Sequence, residues 1–366
     1  MGNPFTPAFG TIPNCIAGRQ NILNDMKNAF ANPENNPDLT GIFVGPGGTG
    51  KTVLLSLAGE IARNEGWIVV DVSAYDGMLE DIYMKTLDQA EEILPDQKKT
   101  ILKEIKIKDI GLAFGQEDSL ERKPPSWRVR MERLTDELRA ENVGVLITVD
   151  EVIPSVPDMI ELVSEYQILQ RRGAKVSLLM AGLPKYTDEL FNDKSVSFLR
   201  RARKHMIGRV SEEEASMAIA NTMKSGGKTI EGQQLQKAAA ASNGFPYMIQ
   251  LVGYYIYQEA GNRKKITEEI TEKGIEDSSA DFTDGVLYST FSELSEMDRA
   301  FVYAMLEDKN GSRLKDIARR LNKSNGYAFT YKTRLQRAGV IDEKNKILNF
   351  ALPFFREYAA QMKEYE

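Results

Sequence analysis

The segment Gly45–Thr52 constrains the fold of this chain more than any other part of the sequence. It reads GPGGTGKT and satisfies the pattern G-x-x-x-x-G-K-[ST], between a short apolar run at Gly41–Val44 and a helical pattern that follows. The glycines let the main chain turn tightly and direct its N–H groups toward one anion at the positive end of a helix. Because such a loop joins a strand to a helix, the segment predicts an α/β fold.

Each residue type in this loop has a predicted phosphate-binding role. Lys51 places a positive charge against the β- and γ-phosphates of a nucleotide, and the hydroxyl of Thr52 can ligate a Mg²⁺ ion that bridges them. The alternative is an incidental glycine-rich turn, which the four glycines, the Lys-Thr pair and the flanking elements together disfavour. The predicted nucleotide contacts are Gly45, Pro46, Gly47, Gly48, Thr49, Gly50, Lys51, Thr52 and Val53.

A second motif, at Val145–Glu151, reads VLITVDE. Its apolar part predicts a buried strand that delivers Asp150 at its carboxyl end, where open α/β sheets bind ligands. Asp150 can hold Mg²⁺ through the water shell of the ion, and Glu151 can polarise an attacking water as a general base. The alternative is a pair of solvated acids at a strand end, and the phosphate loop favours the functional interpretation.

Strand-like and helix-like patterns alternate between Leu39 and Gly182, and the strand patterns are continuously apolar. This alternation predicts a parallel sheet with helices on both faces. The period-2 pattern at Ile105–Gly115 predicts an inserted hairpin or edge strand. Helical patterns then dominate, with Ser211 and Glu214 forming a predicted capping box. The predicted domains are an N-terminal arm (1–40), a sheet domain (41–206), a helical lid (207–283) and a winged-helix-like domain (284–366).

Composition excludes several kinds of site. Cys15 is the only cysteine and His205 the only histidine, so the chain can form neither an intramolecular disulfide nor a Cys/His zinc cluster. The 47 Lys and Arg residues against 53 Asp and Glu residues give a net charge of −6, which argues against a uniformly basic surface. Neither a secretory signal nor an apolar run of membrane-spanning length is evident, and we expect a cytoplasmic protein without a membrane partner.

Together, the phosphate loop, the acidic strand end, the helical block and the tail resemble an AAA+ P-loop ATPase of the prokaryotic origin-recognition-like, initiator type. The resemblance implies ATP or ADP and Mg²⁺ as cofactors. Gly18 and Arg19 resemble the element that packs beside the adenine, although Gln20 replaces the acid that usually follows. Asn243–Gln250 resembles the start of the lid helix, which adds Pro246 to the implied nucleotide contacts.

Two features depart from that family. Tyr247 stands where the sensor-2 arginine is expected, and Ala181-Gly182-Leu183 follows the strand that usually carries a polar sensor-1 residue. Hydrolysis is therefore expected to be slow or to depend on a partner. Arg200 and Arg201 lie where the family places its arginine finger, which implies a homo-oligomer with the finger acting in trans. A solvated basic helix end is the alternative.

The C-terminal block is locally basic. Its helical patterns and a terminal hairpin pattern predict a winged helix-turn-helix. Arg313–Arg337 contains eight basic residues and one acid, a net charge of +7 that suits the phosphates of double-stranded DNA. A protein-binding role is the alternative. The predicted phosphate contacts are Lys323, Lys332, Arg334 and Arg337, and the predicted base contacts are Tyr331 and Thr330.

The favoured hypothesis is an ATPase that couples Mg-ATP binding and hydrolysis to movement of the lid and the winged helix, acting on DNA or on a DNA-bound partner. Lys51, Glu151, Arg200 and Arg201 are the predicted catalytic residues, and Thr52 and Asp150 the predicted metal ligands. The alternative is a STAND-like signalling switch that hydrolyses ATP slowly or not at all and whose winged helix contacts protein. ATP turnover separates the two hypotheses.

Overall fold

A computed structural model describes residues 2–8, 11–96, 98–99, 102 and 125–365. The predicted hairpin at Ile105–Gly115 lies outside the described residues. By its contacts the chain divides into two compact units. The sheet unit comprises residues 21–44 and 51–206, and the C-terminal unit comprises residues 1–20, 45–50 and 207–366. The division into four domains stays a prediction.

The sheet unit is built on five parallel strands in the order β2-β3-β4-β1-β5. β3 and β4 are buried along nearly their whole length, as strands covered on both faces are. At the carboxyl edge of the sheet, Val44 is in register with Gly182, and Ser73 is in register with Asp150. The strands are β1 (Thr40–Val44), β2 (Ile68–Ser73), β3 (Val145–Asp150), β4 (Val176–Gly182) and β5 (Arg203–Met206).

Helices cover this sheet and complete its core. The indole N–H of Trp67 donates to the Phe30 carbonyl at 3.1 Å, and that of Trp127 donates to the Leu79 carbonyl at 2.7 Å, so both buried tryptophans also satisfy their polar atoms. The described helices are α1 (Gln20–Ala31), α2 (Lys51–Asn64), α3 (Met78–Ile93), α4 (Trp127–Ala140), α5 (Pro157–Arg171) and α6 (Pro184–Asn192), with 3₁₀ segments at Pro37–Leu39 and Lys194–Arg201.

The C-terminal unit begins with a helical bundle. Ser211 and Glu214 form the predicted capping box, each accepting a hydrogen bond from the other's main-chain N–H. Phe5 is 2% exposed and fits against Gly253, where an added Cβ would lie 2.1 Å from its ring. The helices are α7 (Glu212–Ser225), α8 (Gly232–Ser242), α9 (Pro246–Ala260), α10 (Glu268–Phe282), a π-helical turn (Thr283–Leu287) and α11 (Tyr288–Ser292).

The elements at the end of the same unit follow in the order found in a winged helix, and we refer to residues 284–366 by that name. Three helices precede an antiparallel hairpin in which Ile341 is in register with Phe350, and a last helix follows. One hydrophobic core contains residues of both the bundle and this winged helix. The elements are α12 (Glu296–Leu306), α13 (Leu314–Arg320), α14 (Asn325–Arg337), β6 (Ile341–Lys344), β7 (Ile347–Phe350) and α15 (Phe355–Tyr365). Within the part of the chain that the structure describes, no helix combines the length and hydrophobicity that crossing a membrane requires.

Candidate nucleotide-binding site

In the sheet unit, the structure brings together the two predicted metal ligands. Asp150 ends β3, and Thr52 is the second residue of α2. The Thr52 hydroxyl donates to Oδ2 of Asp150 at 2.6 Å, although 98 positions separate the two residues. Hydroxyl and carboxylate oxygens are the ligands that Mg²⁺ prefers, so this pair fits a magnesium ion that keeps several waters.

Glu151 has an unusual main-chain conformation. Its φ is +54°, a left-handed value that is uncommon for residues other than glycine. The N–H of Glu151 donates to Oδ1 of Asp150 at 2.9 Å, which holds the acid pair in one turn. Its side chain is exposed at the carboxyl end of the sheet, so it can reach water. Strained residues of this kind cluster at functional sites.

The ammonium group of Lys51 is largely withdrawn from solvent and lies near the acid pair. Burial lowers the pKa of Lys51, and the negative charges of Asp150 and Glu151 raise it by less. Desolvation disfavours the charged form of a lysine, whereas a phosphate beside it would favour that form. A polyanionic ligand would therefore oppose the effect of burial and favour the charged form of Lys51.

The loop Gly45–Gly50 makes its contacts within the C-terminal unit. Gly48 and Gly50 have φ values of +72° and +87°, which glycine adopts at little cost. The Thr49 hydroxyl donates to the Pro46 carbonyl at 2.8 Å and fixes the turn from inside. The main-chain N–H of Tyr247 donates to the Gly48 carbonyl at 3.3 Å. The start of α9 is thereby attached to the phosphate loop.

The start of α9, the predicted lid helix, presents Pro246 and Tyr247 to the loop. An added Cβ at Gly50 would lie 3.8 Å from Pro246, so the predicted contact residue does border the loop. Tyr247, at the predicted sensor-2 position, packs against Phe282 with a ring separation of 6.1 Å. Burial, and secondarily the charge of Asp281, raises the pKa of the Tyr247 phenol, so this side chain stays neutral at physiological pH.

Gly18 and Arg19, the predicted adenine element, lie in the C-terminal unit beside Glu214. Arg19 donates a hydrogen bond to the Gly208 carbonyl. Gly18 has a φ of +64°, and a Cβ there would lie 2.8 Å from the Glu214 carboxylate. Burial lowers the pKa of Arg19, and Glu214 partly opposes that shift. The sequence did not indicate that Glu214 lies beside Gly18 and Arg19, because its capping role already accounted for this residue.

The predicted arginine finger lies on the sheet unit. Arg200 and Arg201 end the 3₁₀ segment, and both are exposed. Nε of Arg200 donates to the Phe191 carbonyl at 3.5 Å. At the predicted sensor-1 position, Ala181 and Gly182 are buried and offer no polar side chain. Exposure leaves both arginines accessible to a second molecule.

Two predicted DNA contacts are already engaged within the winged helix. Lys332 is 8% exposed, and its Nζ lies 2.6 Å from Oε2 of Glu343. Arg334 lies 2.7 Å from Oδ2 of Asp298, which is 2% exposed and also caps α12. The sequence did not reveal these pairs because their partners lie 11 and 36 positions away.

The remaining predicted DNA contacts are more accessible. Lys323 and Arg337 are exposed, and among the described residues neither forms an ion pair. Tyr331 is half-buried, and its hydroxyl lies 3.3 Å from that of Tyr327. Thr330 is exposed on α14. Lys323 and Arg337 are therefore the cations best placed to meet a phosphate backbone.

Comparison with solved structures identifies the fold. The Walker-type ATPase PABY2304 of Pyrococcus abyssi matches with a TM-score of 0.62 and 14% identity, over 94% of this chain and 96% of that chain. The fold is that of a Walker-type ATPase. This confirms the predicted α/β P-loop architecture.

Weaker matches accompany this one. Cdc6p from Pyrobaculum aerophilum and the Orc1 protein of Aeropyrum pernix in complex with DNA each match with a TM-score of 0.48 and 13% identity, over 98% of this chain and 96% of theirs. These scores are too low to add to the assignment. Residues 284–359 match a family described as "Domain of unknown function (DUF8462)". A search of curated proteins finds no sequence match.

Proposed function

We propose that this chain is an AAA+-type ATPase that binds Mg-ATP at Gly45–Thr52. The hydrogen bond between Thr52 and Asp150 carries the proposal, since it joins the hydroxyl of the phosphate-loop motif to the strand-end acid. The Walker-type fold supports it.

Each residue of the proposed site has a distinct role in binding or hydrolysing ATP. Thr52 and Asp150 would hold Mg²⁺, which neutralises phosphate charge during transfer. Lys51 meets the β- and γ-phosphates, and Glu151 accepts a proton from the attacking water. Gly18, Arg19 and Pro246 border the nucleoside. Arg200 and Arg201 of a second copy stabilise the charge of the transition state, and nucleotide state sets the positions of the lid and the winged helix.

Two substitutions test the nucleotide site. Lys51→Ala should weaken ATP binding at least tenfold, because it removes the cation that faces the phosphates. Glu151→Gln should keep ATP affinity and lower turnover about 10²- to 10⁴-fold, as loss of a general base does. Isothermal titration calorimetry and a phosphate-release assay measure the two effects.

The matched control is Lys85→Ala, which removes an exposed lysine of the sheet unit from an ion pair with Asp81. It should leave both measurements unchanged. Equal ATP affinity in wild type and Lys51→Ala would refute the proposal. Wild-type turnover that is undetectable at high protein concentration, with ADP retained during purification, would instead support the signalling switch.

We also propose that the winged helix binds double-stranded DNA. Lys323 and Arg337, at the two ends of the α14 region, supply exposed cations that suit a phosphate backbone. Lys332 and Arg334 support the fold of the winged helix through their ion pairs. Phosphate contact therefore falls mainly to the other two residues.

Replacing both exposed cations tests this proposal. The double variant Lys323→Ala/Arg337→Ala should weaken duplex binding and reduce the slope of log affinity against log salt by about two, one for each lost phosphate contact. Fluorescence anisotropy across a salt series measures both. Lys237→Ala/Lys273→Ala, on lid helices α8 and α10, serves as the control. An unchanged slope in the first variant would exclude DNA contact through α14.

A further inference from the structure

The winged helix directly contacts the phosphate loop. Gly339, just after α14, packs on Pro46, and an added Cβ at Gly339 would lie 2.6 Å from the Pro46 Cβ. Gly339 also has a φ of +73°. Close approach and left-handed conformation both require glycine here. Since Pro46 follows the first glycine of the loop, the loop cannot rearrange at this point without meeting the winged helix.

Arg209 makes a second connection. Its Nη1 donates to Oδ1 of Asn243 at 2.9 Å, and its Nη2 forms an ion pair with Asp342 in β6. The main chain just before Arg209 borders the loop, because a Cβ at Gly45 would lie 2.1 Å from the Ile207 carbonyl oxygen. Arg209 therefore ties the wing hairpin to the segment that flanks the loop.

Asn243 extends this connection to the lid helix. Its Nδ2 donates to the Ala351 carbonyl just after β7 at 3.4 Å, and its φ is +47°. Three residues later α9 begins, and the N–H of Tyr247 donates to the Gly48 carbonyl. The wing hairpin is thus connected to the glycine-rich loop at two points, near Gly45 through Arg209 and at Gly48 through the start of α9.

We propose that Arg209, Asn243, Asp342 and the Gly339–Pro46 contact form a latch that slows nucleotide release. This rests on the proposed function, in which the loop binds ATP or ADP. Because the wing and the loop share contacts, closing the latch restrains the loop around its ligand, and by linkage bound nucleotide stabilises the closed latch. Arg209 and Asp342 are 30% and 40% exposed, so the ion pair is partly shielded from water and can still open.

The test measures release of a fluorescent ADP, N-methylanthraniloyl-ADP, by stopped-flow chase with unlabelled ATP. Asp342→Asn removes the charge that holds Arg209 and should speed ADP release about fivefold. That factor is the low end of the range usual for coupling between two sites of a protein. Asp277→Asn is the matched control. It breaks an ion pair with Lys273 elsewhere in the same unit, at an exposure of 37%. Its release rate should equal that of wild type.

A charge swap and a second measurement complete the test. Arg209→Asp/Asp342→Arg should recover at least half of the lost restraint. In wild type, added ADP should slow hydrogen exchange at Ile341–Phe350, and Asp342→Asn should abolish that slowing.

If Asp342→Asn releases ADP at the wild-type rate, while Lys51→Ala abolishes binding, the latch is wrong and the ATPase proposal stands. If wild type and Lys51→Ala bind labelled ADP equally, the proposed function itself fails.

Discussion

At the scale of single residues, Thr52 and Asp150 show what a sequence can establish. Each was predicted from its own motif, and the two motifs meet in a hydrogen bond of 2.6 Å. Such motifs are predictable because phosphate and metal chemistry restrict the residue type at each position. The left-handed conformation of Glu151 was not predictable, because it depends on how the chain leaves β3.

His205 predicts a pH dependence of stability. It lies in β5 against Phe43, with ring centroids 5.4 Å apart. Burial lowers its pKa below the ordinary value of 6.5, although Asp38 and Asp25 partly oppose the shift. The unfolded chain therefore binds this proton more readily than the folded chain. The contribution of neutral His205 to the free energy of unfolding should be fully present above pH 6.5 and should be lost as the pH falls below it.

His205→Gln should flatten that dependence, because glutamine does not titrate. Thermal unfolding of wild type and variant between pH 7.5 and 5.5 measures the slopes. A variant whose melting temperature falls as steeply as that of wild type would show that other groups cause the acid sensitivity.

At the scale of elements, apolar strands were predictable and the polar edge strand was not. The runs that form β1 to β4 are strongly hydrophobic, and the structure places strands there. β5 reads RKHM, three of its four residues are exposed, and it contains no hydrophobic run that predicts a strand. This segment is a strand because it pairs with β1, and the hydrophobicity of a segment does not predict such a pairing.

The winged helix offers a stability prediction. Arg334→Ala should destabilise it by about 1–3 kcal/mol, because Asp298 would keep its buried charge without its cationic partner. Arg319→Ala breaks only the exposed pair with Asp316 and should cost less than about 0.5 kcal/mol. Hydrogen exchange of α12 and α14 amides measures both. Equal protection in the two variants would contradict the structural role of Arg334.

At the scale of the whole molecule, the proposed role of Arg200 and Arg201 as an arginine finger predicts action between copies. If Arg200 and Arg201 work in trans, turnover per chain should rise with protein concentration. The variant Arg200→Ala/Arg201→Ala should lose about 10³-fold in turnover, as arginine-finger removal does. Its nucleotide affinity should not change.

A mixing experiment separates action in trans from action in cis. Glu151→Gln retains its arginines, and Arg200→Ala/Arg201→Ala retains its acid pair, so each inactive variant carries what the other lacks. A mixture should recover turnover that neither variant shows alone. Failure to recover at any ratio would assign the arginines to their own chain or to no catalytic role.

The order in which the chain is synthesised bears on how this fold assembles. β1 pairs with β4 and β5, so the pairing of residues 40–44 is complete only after residues as late as 206 have been synthesised. The contacts of the glycine-rich segment are completed later still, since its neighbours include Ile207, Tyr247 and Gly339. On the ribosome, therefore, we expect the pairing of β1 with β4 and β5 to form before the glycine-rich segment acquires all of its neighbours.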